Sequence, residues 1–283
     1  MKTAILYHGD CPDGFGGAYA AWKKFGDEAE YLPQKHGKPF EGDVSGKDVY
    51  MIDFCFPKEQ MDAIAAQAGS FTVLDHHEGV ESVATSYPNH VYDPNRSGAS
   101  IAWAYFHPDT EIPELIRYIE DDDLFRFNLP ETRAVLTYLT AHPLTFTYWE
   151  SVAKALAGDI SRKEVLAVAS GYKEYFELLA ELAVQEAKLI EFEGHEVYFA
   201  TAHPLKPLKS LVGNMLVKKK GPFALVVSAH PEGLGVSIRG DGTVNVADIA
   251  AKYGSSGHPN SAGFRLGFDK PMPWKFLKGK SID

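Results

Sequence analysis

The sequence is poor in cysteine and has no long apolar run. Its 283 residues include two cysteines, Cys11 and Cys55, which are too few for disulfide bonds to stabilise a chain of this length. A reducing, cytoplasmic setting is therefore predicted. The apolar run near the start is too short for the core of a signal peptide, and Asp10 closes it. No stretch approaches the ~18 apolar residues of a membrane span, and no membrane partner is expected.

Positive charge is also scarce. The chain has 28 Lys and Arg against 38 Asp and Glu, a net charge of −10, which argues against a coat for long nucleic-acid polymers. The deficit is uneven, because residues 1–195 carry 16 basic against 32 acidic groups (net −16) and residues 196–283 carry 12 against 6 (net +6). This asymmetry predicts two domains with different tasks.

In the first part, short apolar runs alternate with helical segments. Lys2–Tyr7, Asp48–Asp53 and Phe71–Asp75 have the composition of strands, and Pro57–Ala68 has that of a helix. Strand, helix and strand at this spacing indicate a parallel sheet with helical crossovers. Residues 98–160 are predicted to be mostly helical.

Residues 161–192 have the apolar spacing of one long amphipathic helix, which Gly194 would end. The helix could pack against the domains or mediate a homodimer, and both alternatives stay open. Short β-rich runs follow from His195, so we place a first domain at 1–192, linking helix included, and a second at 193–283. The predicted fold class is α/β: a parallel-sheet N-terminal domain, a long linking helix and a smaller α/β C-terminal domain. The Pro-rich segment 271–274 is expected to form a surface tail.

Polar side chains cluster where the predicted strands end. They are His8, Asp10, Asp13, Asp53, Asp75, His76 and His77. Ligand sites of parallel sheets lie at the carboxyl ends of the strands, and imidazoles with carboxylates are the ligand set for Mn²⁺, Fe²⁺, Zn²⁺ or Co²⁺. Gathered carboxylates repel one another, and a dinuclear metal centre with a shared aspartate would remove that repulsion.

Each of these groups has a structural alternative. Asp13 could cap a helix, Glu120–Asp123 could be a solvated helix end, and Cys11 could be a small buried hydrophobe. The coincidence of several metal-type groups at successive strand ends favours the metal hypothesis.

Several motifs occur in the order of one known family. Asp75-His76-His77 after the strand FTVLD resembles the name-giving motif of the DHH phosphoesterase superfamily. His8 with the segment 13–18 resembles its first motif, Asp53 its second and 121–127 its fourth. The segment 254–264, GSSGHPNSAGF, is similar to the GGGH motif of the DHH-associated substrate-binding domain, and a VSIR strand ending in Arg239 precedes it.

The resemblance implies two divalent ions, usually Mn²⁺, with Mg²⁺, Co²⁺ or Fe²⁺ as alternatives. The implied ligands are His8, Asp13, Asp53, His76 and Asp121. Asp53 would bridge the ions, Asp75 would orient His76, and His77 would face the phosphate as a general acid. Cys11 stands where the family has an aspartate, so Asp10 or Cys11 could complete the set.

In the second domain, the resemblance implies a substrate-binding set of Arg239, Ser255, Ser256, Gly257 and His258. Arg239 and His258 would also serve catalysis, together with Asp75 and His77. The implied activity is hydrolysis of short oligonucleotides, or of small phosphorylated nucleotides, as in nanoRNase and pAp phosphatase proteins. The alternatives are a cyclic or linear dinucleotide phosphodiesterase, a pyrophosphate or polyphosphate hydrolase, and a non-catalytic nucleotide-binding module, which Cys11 motivates.

Overall fold

The computed structural model describes residues 2–9, 11–35, 37–255 and 257–277, without the side chains of Lys206 and His258. The chain divides into two compact units, Met1–Gly171 and Tyr172–Asp283. Within the described ranges, no helix has the length and apolar character needed to cross a membrane.

The first unit alternates strands and helices. Its strands are β1 (Thr3–His8), β2 (Ala29–Gln34), β3 (Asp48–Ile52), β4 (Ser70–Asp75) and β5 (Asn89–Tyr92). Its helices are α1 (Pro12–Phe25), α2 (Lys58–Gln67), α3 (Glu81–Ala84), α4 (Gly98–Phe106), α5 (Glu114–Asp123), α6 (Thr132–Thr140) and α7 (Phe146–Leu156). The long helix α8 (Asp159–Gln185) begins in this unit and ends in the second.

The described strands of the first unit form a parallel sheet in the order β2-β1-β3-β4-β5, which confirms the predicted fold class. Neighbouring residues of β1 alternate between two cores, with Ile5 on one face and Leu6 on the other. Burial on both faces explains the continuous apolar runs. The next strand in the chain, β2, pairs with one side of β1, and β3 pairs with the other side. The carboxyl ends of β1 and β3 therefore form the switch point where ligands of such sheets bind.

The second unit contains a mostly antiparallel sheet. Its strands are β6 (Lys188–Phe192), β7 (His195–Thr201), β8 (Phe223–His230), β9 (Gly233–Gly240), β10 (Gly257–His258), β11 (Ser261–Leu266) and β12 (Lys275–Phe276). In the described part of the chain their order is β10-β11-β9-β8-β7-β6-β12, and β7 and β8 are parallel. The helices α9 (Lys206–Lys219) and α10 (Val246–Lys252) complete the unit.

The end of the long helix differs from the sequence prediction. The helix stops at Gln185, and residues 188–192 form β6, which pairs with β7 through a two-residue turn. Glu193 and Gly194 have φ angles of 50° and 79°, and two positive values are what a primed hairpin turn requires. Gly194 therefore serves a hairpin and does not end the helix.

The division of the chain and its last segment also differ from expectation. The two units separate within α8, earlier in the chain than residue 192. The assignment of a catalytic role to one part and a substrate-binding role to the other stays a prediction. Within the expected surface tail, Pro271 and Met272 are exposed, but Trp274 is 5% exposed and belongs to the core of the second unit, next to β12.

Candidate metal centre

The register of the parallel sheet brings three functional residues into one row. Tyr7 pairs with Ile52, and Ile52 pairs with Leu74, so the residues that follow them lie side by side at the carboxyl edge. Those residues are His8, Asp53 and Asp75. This edge is the switch point between β1 and β3, so the predicted strand-end cluster does form.

The turn from β1 into α1 presents His8 and Cys11. Cys11 is the N-cap of α1, and its Sγ accepts a hydrogen bond from the Gly14 amide at 3.2 Å. A Cβ on Gly14 would lie 2.3 Å from the carbonyl oxygen of His8, so this tight turn excludes any larger side chain. The thiol of Cys11 consequently faces the sheet edge, where its Sγ lies 3.1 Å from His8 Nδ1.

Asp53 lies between two groups of donors. Its Oδ2 is 3.3 Å from Cys11 Sγ and 3.5 Å from His8 Nδ1, whereas its Oδ1 is 3.2 Å from His76 Nε2. The side chain is 2% exposed, and the backbone has φ 55°, a value uncommon outside glycine. A strained backbone at a buried carboxylate is typical of functional sites.

Around His76, three carboxylates approach one nitrogen. His76 Nε2 lies 3.2 Å from Asp53 Oδ1 and 3.5 Å from an oxygen of each of Asp13 and Asp123. We call this group the carboxylate cluster (Asp13, Asp53, His76, Asp123) and the neighbouring one the thiol cluster (His8, Cys11, Asp53). The donor atoms of the thiol cluster lie close enough together to share a metal ion, as do those of Asp13, His76 and Asp123 and those of Asp53, His76 and His77. Asp53 joins the carboxylate cluster through its contact with His76.

Asp13 joins the centre to the start of α4. Its two carboxylate oxygens accept the amides of Gly98 and Ala99 at 2.7 and 2.9 Å, at the positive end of the α4 dipole. A Cβ on Gly98 would lie 2.6 Å from Asp53 Cβ, so glycine permits this approach. Burial and then repulsion from Asp53 and Asp123 nevertheless raise the pKa of Asp13 well above its usual range.

Asp75 contacts His77 and not the ring of His76. Its Oδ1 accepts the backbone amides of both histidines, at 2.7 and 2.9 Å, and lies 2.8 Å from His77 Nδ1. The ring held by Asp75 is that of His77, and Asp75 contacts His76 through its backbone amide, so the orientation of His76 by Asp75 stays a prediction. Burial lowers the pKa of His77, but the hydrogen bond to Asp75 and the charges of Asp53 and Asp75 outweigh it and raise that pKa to about 9.

The charge of Asp53 is balanced by the surrounding rings. Burial opposes its ionisation, but hydrogen bonds with His76 and His8 and the charges of His77 and His8 hold the pKa of Asp53 well below its usual range. Asp53 thus stays ionised although it is buried. Asp13 behaves differently, because burial and then repulsion from Asp53 and Asp123 raise its pKa.

The structure places Asp121 away from the two clusters. Its carboxylate accepts the amides of Asn128 and Leu129 at 2.8 and 3.1 Å and the hydroxyl of Thr132. Asp121 therefore ties the loop after α5 to the start of α6. The residue of this acidic run that reaches His76 is Asp123, which the sequence reading missed.

Among the predicted substrate residues, Arg239 is half-buried against α9. Its guanidinium donates to Ser210 Oγ at 2.6 Å and to the Ile238 carbonyl at 2.9 Å. A neighbouring open cavity of about 220 Å³ is lined by Ser255 and by two cations, Lys209 and Arg265. Sequence reasoning noted both cations only as part of the basic character of the second part.

The remaining predicted residues are only partly covered by the structure. Gly257 is exposed and pairs with Ala262 at the edge of the second sheet. Asp10, Ser256 and the side chain of His258 lie outside the described residues.

Comparison with known proteins identifies the fold. No family model matches the sequence. The chain is 27% identical over 282 residues to an uncharacterized protein of Acanthamoeba polyphaga mimivirus, an alignment that covers 92% of this chain and 66% of the viral protein. The chain thus spans less than two thirds of that relative.

Three solved structures resemble the whole chain. One is the DHH domain of a member of the s1p family of ribosomal proteins, with TM-score 0.59, 12% identity and coverage of 98% of this chain and 83% of that one. An exopolyphosphatase-related protein from Bacteroides fragilis gives TM-score 0.55, 14% identity and coverage of 95% and 87%. The pGpG-specific phosphodiesterase PggH from Vibrio cholerae gives TM-score 0.51, 12% identity and coverage of 95% and 94%.

The structure is thus that of an α/β protein with a histidine and carboxylate centre at the switch point of a parallel sheet. More particularly, the chain has the fold of DHH-domain proteins.

Proposed function

We propose that the chain is a two-metal phosphoesterase that hydrolyses short oligonucleotides or small phosphorylated nucleotides. The observation that carries this proposal is the position of Asp53. One of its oxygens faces His8 and Cys11 and the other faces His76, which is the arrangement of a carboxylate shared by two ions.

The residues present fit a pair of divalent cations. Three carboxylates converge on His76, and a nearby positive charge would offset the burial and the repulsion from Asp53 and Asp123 that raise the pKa of Asp13. Bound cations would supply that charge, with His8, Cys11 and Asp53 on one side and Asp13, Asp53, His76 and Asp123 on the other. When bound, two such ions activate water for attack and neutralise phosphoryl oxygens, and Mn²⁺ is the ion we expect.

His77 is placed to handle a proton. Asp75 holds Nδ1 of its ring, which fixes the tautomer and leaves Nε2 as the nitrogen for substrate. With its raised pKa, the imidazolium can protonate the oxygen that leaves phosphorus. Asp75 is fully buried and acts through His77.

Two cavities suit a nucleotide. In the first unit, a cavity of about 280 Å³ is lined by Phe54, Cys55, Pro57 and Gln60. The ring of Phe54 lies 5.9 Å from that of His8, so a largely apolar surface that also carries the Gln60 amide and Lys38 adjoins the metal centre and could hold a base. In the second unit, Lys209 and Arg265 give the cavity beside Ser255 the charge that a phosphate needs.

A linear dinucleotide is the second candidate substrate. One neighbour of the same fold, PggH, is a pGpG-specific phosphodiesterase, and we therefore test a linear dinucleotide beside the other phosphorylated substrates. The same centre would cleave a dinucleotide or remove a terminal phosphate. An activity assay is therefore needed to distinguish the two reactions.

The test offers a labelled dinucleotide, the nucleotide pAp, pyrophosphate and a cyclic dinucleotide in parallel, with Mn²⁺ or with EDTA. We expect Mn²⁺-dependent release of mononucleotide or phosphate from one of the first two. Asp53→Ala and His76→Ala should abolish it, and Asp122→Ala, the matched control in the same acidic run, should retain it. Full activity of Asp53→Ala, or no hydrolysis by metal-loaded protein, would overturn the proposal.

A further inference from the structure

The thiol cluster contains three different donor types. Cys11 Sγ lies 3.1 Å from His8 Nδ1 and 3.3 Å from Asp53 Oδ2, and the donor atoms of the three residues lie within 4.8 Å of one another. One sulfur, one nitrogen and one oxygen therefore face a common point. The carboxylate cluster offers only oxygen and nitrogen.

The environment of Cys11 differs from that of Cys55. Cys55 belongs to the hydrophobic core that includes Phe54 and Phe56, and its thiol donates a hydrogen bond to Asp75 Oδ2 at 3.5 Å. Cys11 is 9% exposed and has polar groups around its sulfur, including the amide of Gly14 at the start of α1. The sulfur of Cys11 thus lies within contact distance of two of the proposed metal ligands, His8 and Asp53.

We propose that Cys11 makes the thiol cluster selective for a thiophilic divalent ion of the Zn²⁺, Co²⁺ or Fe²⁺ class. The carboxylate cluster, with harder donors, would keep Mn²⁺ or Mg²⁺. The two clusters would then bind two different metals, because their donor atoms differ in softness. This inference rests on the metal centre of the proposed function and adds the identity of one ion.

Binding of the ion requires loss of the thiol proton. The Cys11 thiol gives its proton to solvent, the sulfur lone pair forms the bond to the ion, and no electron is transferred. Asp53, which is shared, contributes one oxygen to each cluster, so a change at Cys11 leaves the donors of the carboxylate cluster in place.

The experiment follows Co²⁺ binding to the full-length, EDTA-treated chain by absorption. Co²⁺ bound to a thiolate gives a near-ultraviolet sulfur-to-cobalt charge-transfer band, which oxygen and nitrogen ligands do not produce. We expect the band to saturate at one equivalent per chain, to disappear on addition of Zn²⁺ and to persist on addition of equal Mn²⁺. Cys55→Ala should retain the band.

Two variants of Cys11 separate the ligand role from a packing role. Cys11→Ser and Cys11→Asp should both lose the band, with circular dichroism unchanged. Cys11→Asp should still bind Co²⁺, which its visible ligand-field bands would report. Its affinity for Zn²⁺ should fall at least ~10-fold, because removal of a residue that only supports a metal ligand already has an effect of that size.

The outcomes distinguish this inference from the proposed function. A charge-transfer band in Cys11→Ser, or its absence in wild-type protein that binds Co²⁺, would overturn the inference even if hydrolysis is observed. A Cys11-dependent band in a chain that hydrolyses none of the offered substrates would support the inference and count against the proposed function.

Discussion

Asp121 and Asp123 show how the helix phase separates two identical side chains. They are two residues apart in the last turn of α5, which corresponds to about 200° of rotation, so they face different surroundings. Asp121 accepts hydrogen bonds from the loop that precedes α6, and Asp123 approaches His76. A run of acidic residues in a sequence does not reveal this phase, so the sequence could not show that Asp123, and not Asp121, is the member that approaches His76.

Substitution of these two residues should have opposite effects. Asp123→Asn should weaken Mn²⁺ binding at least ~10-fold with little change in the free energy of unfolding. Asp121→Asn should keep Mn²⁺ affinity and lower the free energy of unfolding by about 1–3 kcal/mol, because the buried Thr132 hydroxyl and two loop amides lose a charged acceptor. Calorimetric Mn²⁺ titration and urea unfolding measure the two quantities, and the reverse pattern would restore Asp121 as the ligand.

His77 provides a second prediction at this scale. If it protonates the leaving oxygen, the rate should fall on the alkaline side as His77 loses its proton, because its pKa lies above the ordinary value. His77→Asn should reduce kcat by about 10²–10⁴-fold and remove that alkaline limb, with KM little changed. A pH profile of kcat for both proteins decides the matter, and an unchanged alkaline limb in the variant would exclude the role.

Among the elements, the strands that form the centre were the most predictable. β1, β3 and β4 are apolar runs that end in polar residues, and Gly14 marks the turn into α1. The short strand β5 and the strand β6 were missed. β6 follows α8 with a continuing apolar spacing, and its identity depends on pairing with β7, a contact that a local pattern does not contain.

The start of α8 is held by a charged contact that should depend on pH. Arg162 donates to both oxygens of Glu114, at 2.7 to 3.1 Å, and Tyr118 donates to the same carboxylate. Burial opposes ionisation, but the hydrogen bonds from Arg162 and Tyr118 lower the pKa of Glu114. Its stabilisation is therefore present above the unfolded-state pKa and is lost as pH falls through the lower, folded-state value.

Glu114→Gln should reduce the free energy of unfolding by about 1 kcal/mol at neutral pH, because the contact is partly exposed, and by little at acid pH. Urea unfolding in EDTA at both pH values measures this difference. Glu177→Gln, which removes a neighbouring i,i+4 pair with Lys173, is the control and should change stability by less. An equal difference for Glu114→Gln at both pH values would contradict the assignment.

At the scale of the whole molecule, part of the negative net charge is located at the candidate metal centre. The chain has a net charge of −10, and part of its acidic excess is the set of carboxylates at the sheet edge. Two divalent ions would add four positive charges where a substrate phosphate binds. The acidity of the protein is consequently compatible with a short phosphorylated substrate.

Metal should therefore stabilise the fold as well as enable hydrolysis. An ion that binds only the folded state should raise the free energy of unfolding by about 2.7 kcal/mol at 100 times its dissociation constant. Asp53→Asn should lose this response, since asparagine tolerates the positive φ at this position but removes the shared charge. Thermal unfolding with Mn²⁺ or EDTA measures the response, and Asp122→Asn should keep it. An equal response in Asp53→Asn would mean that binding of the stabilising ion does not depend on Asp53, which would contradict its role as the shared ligand.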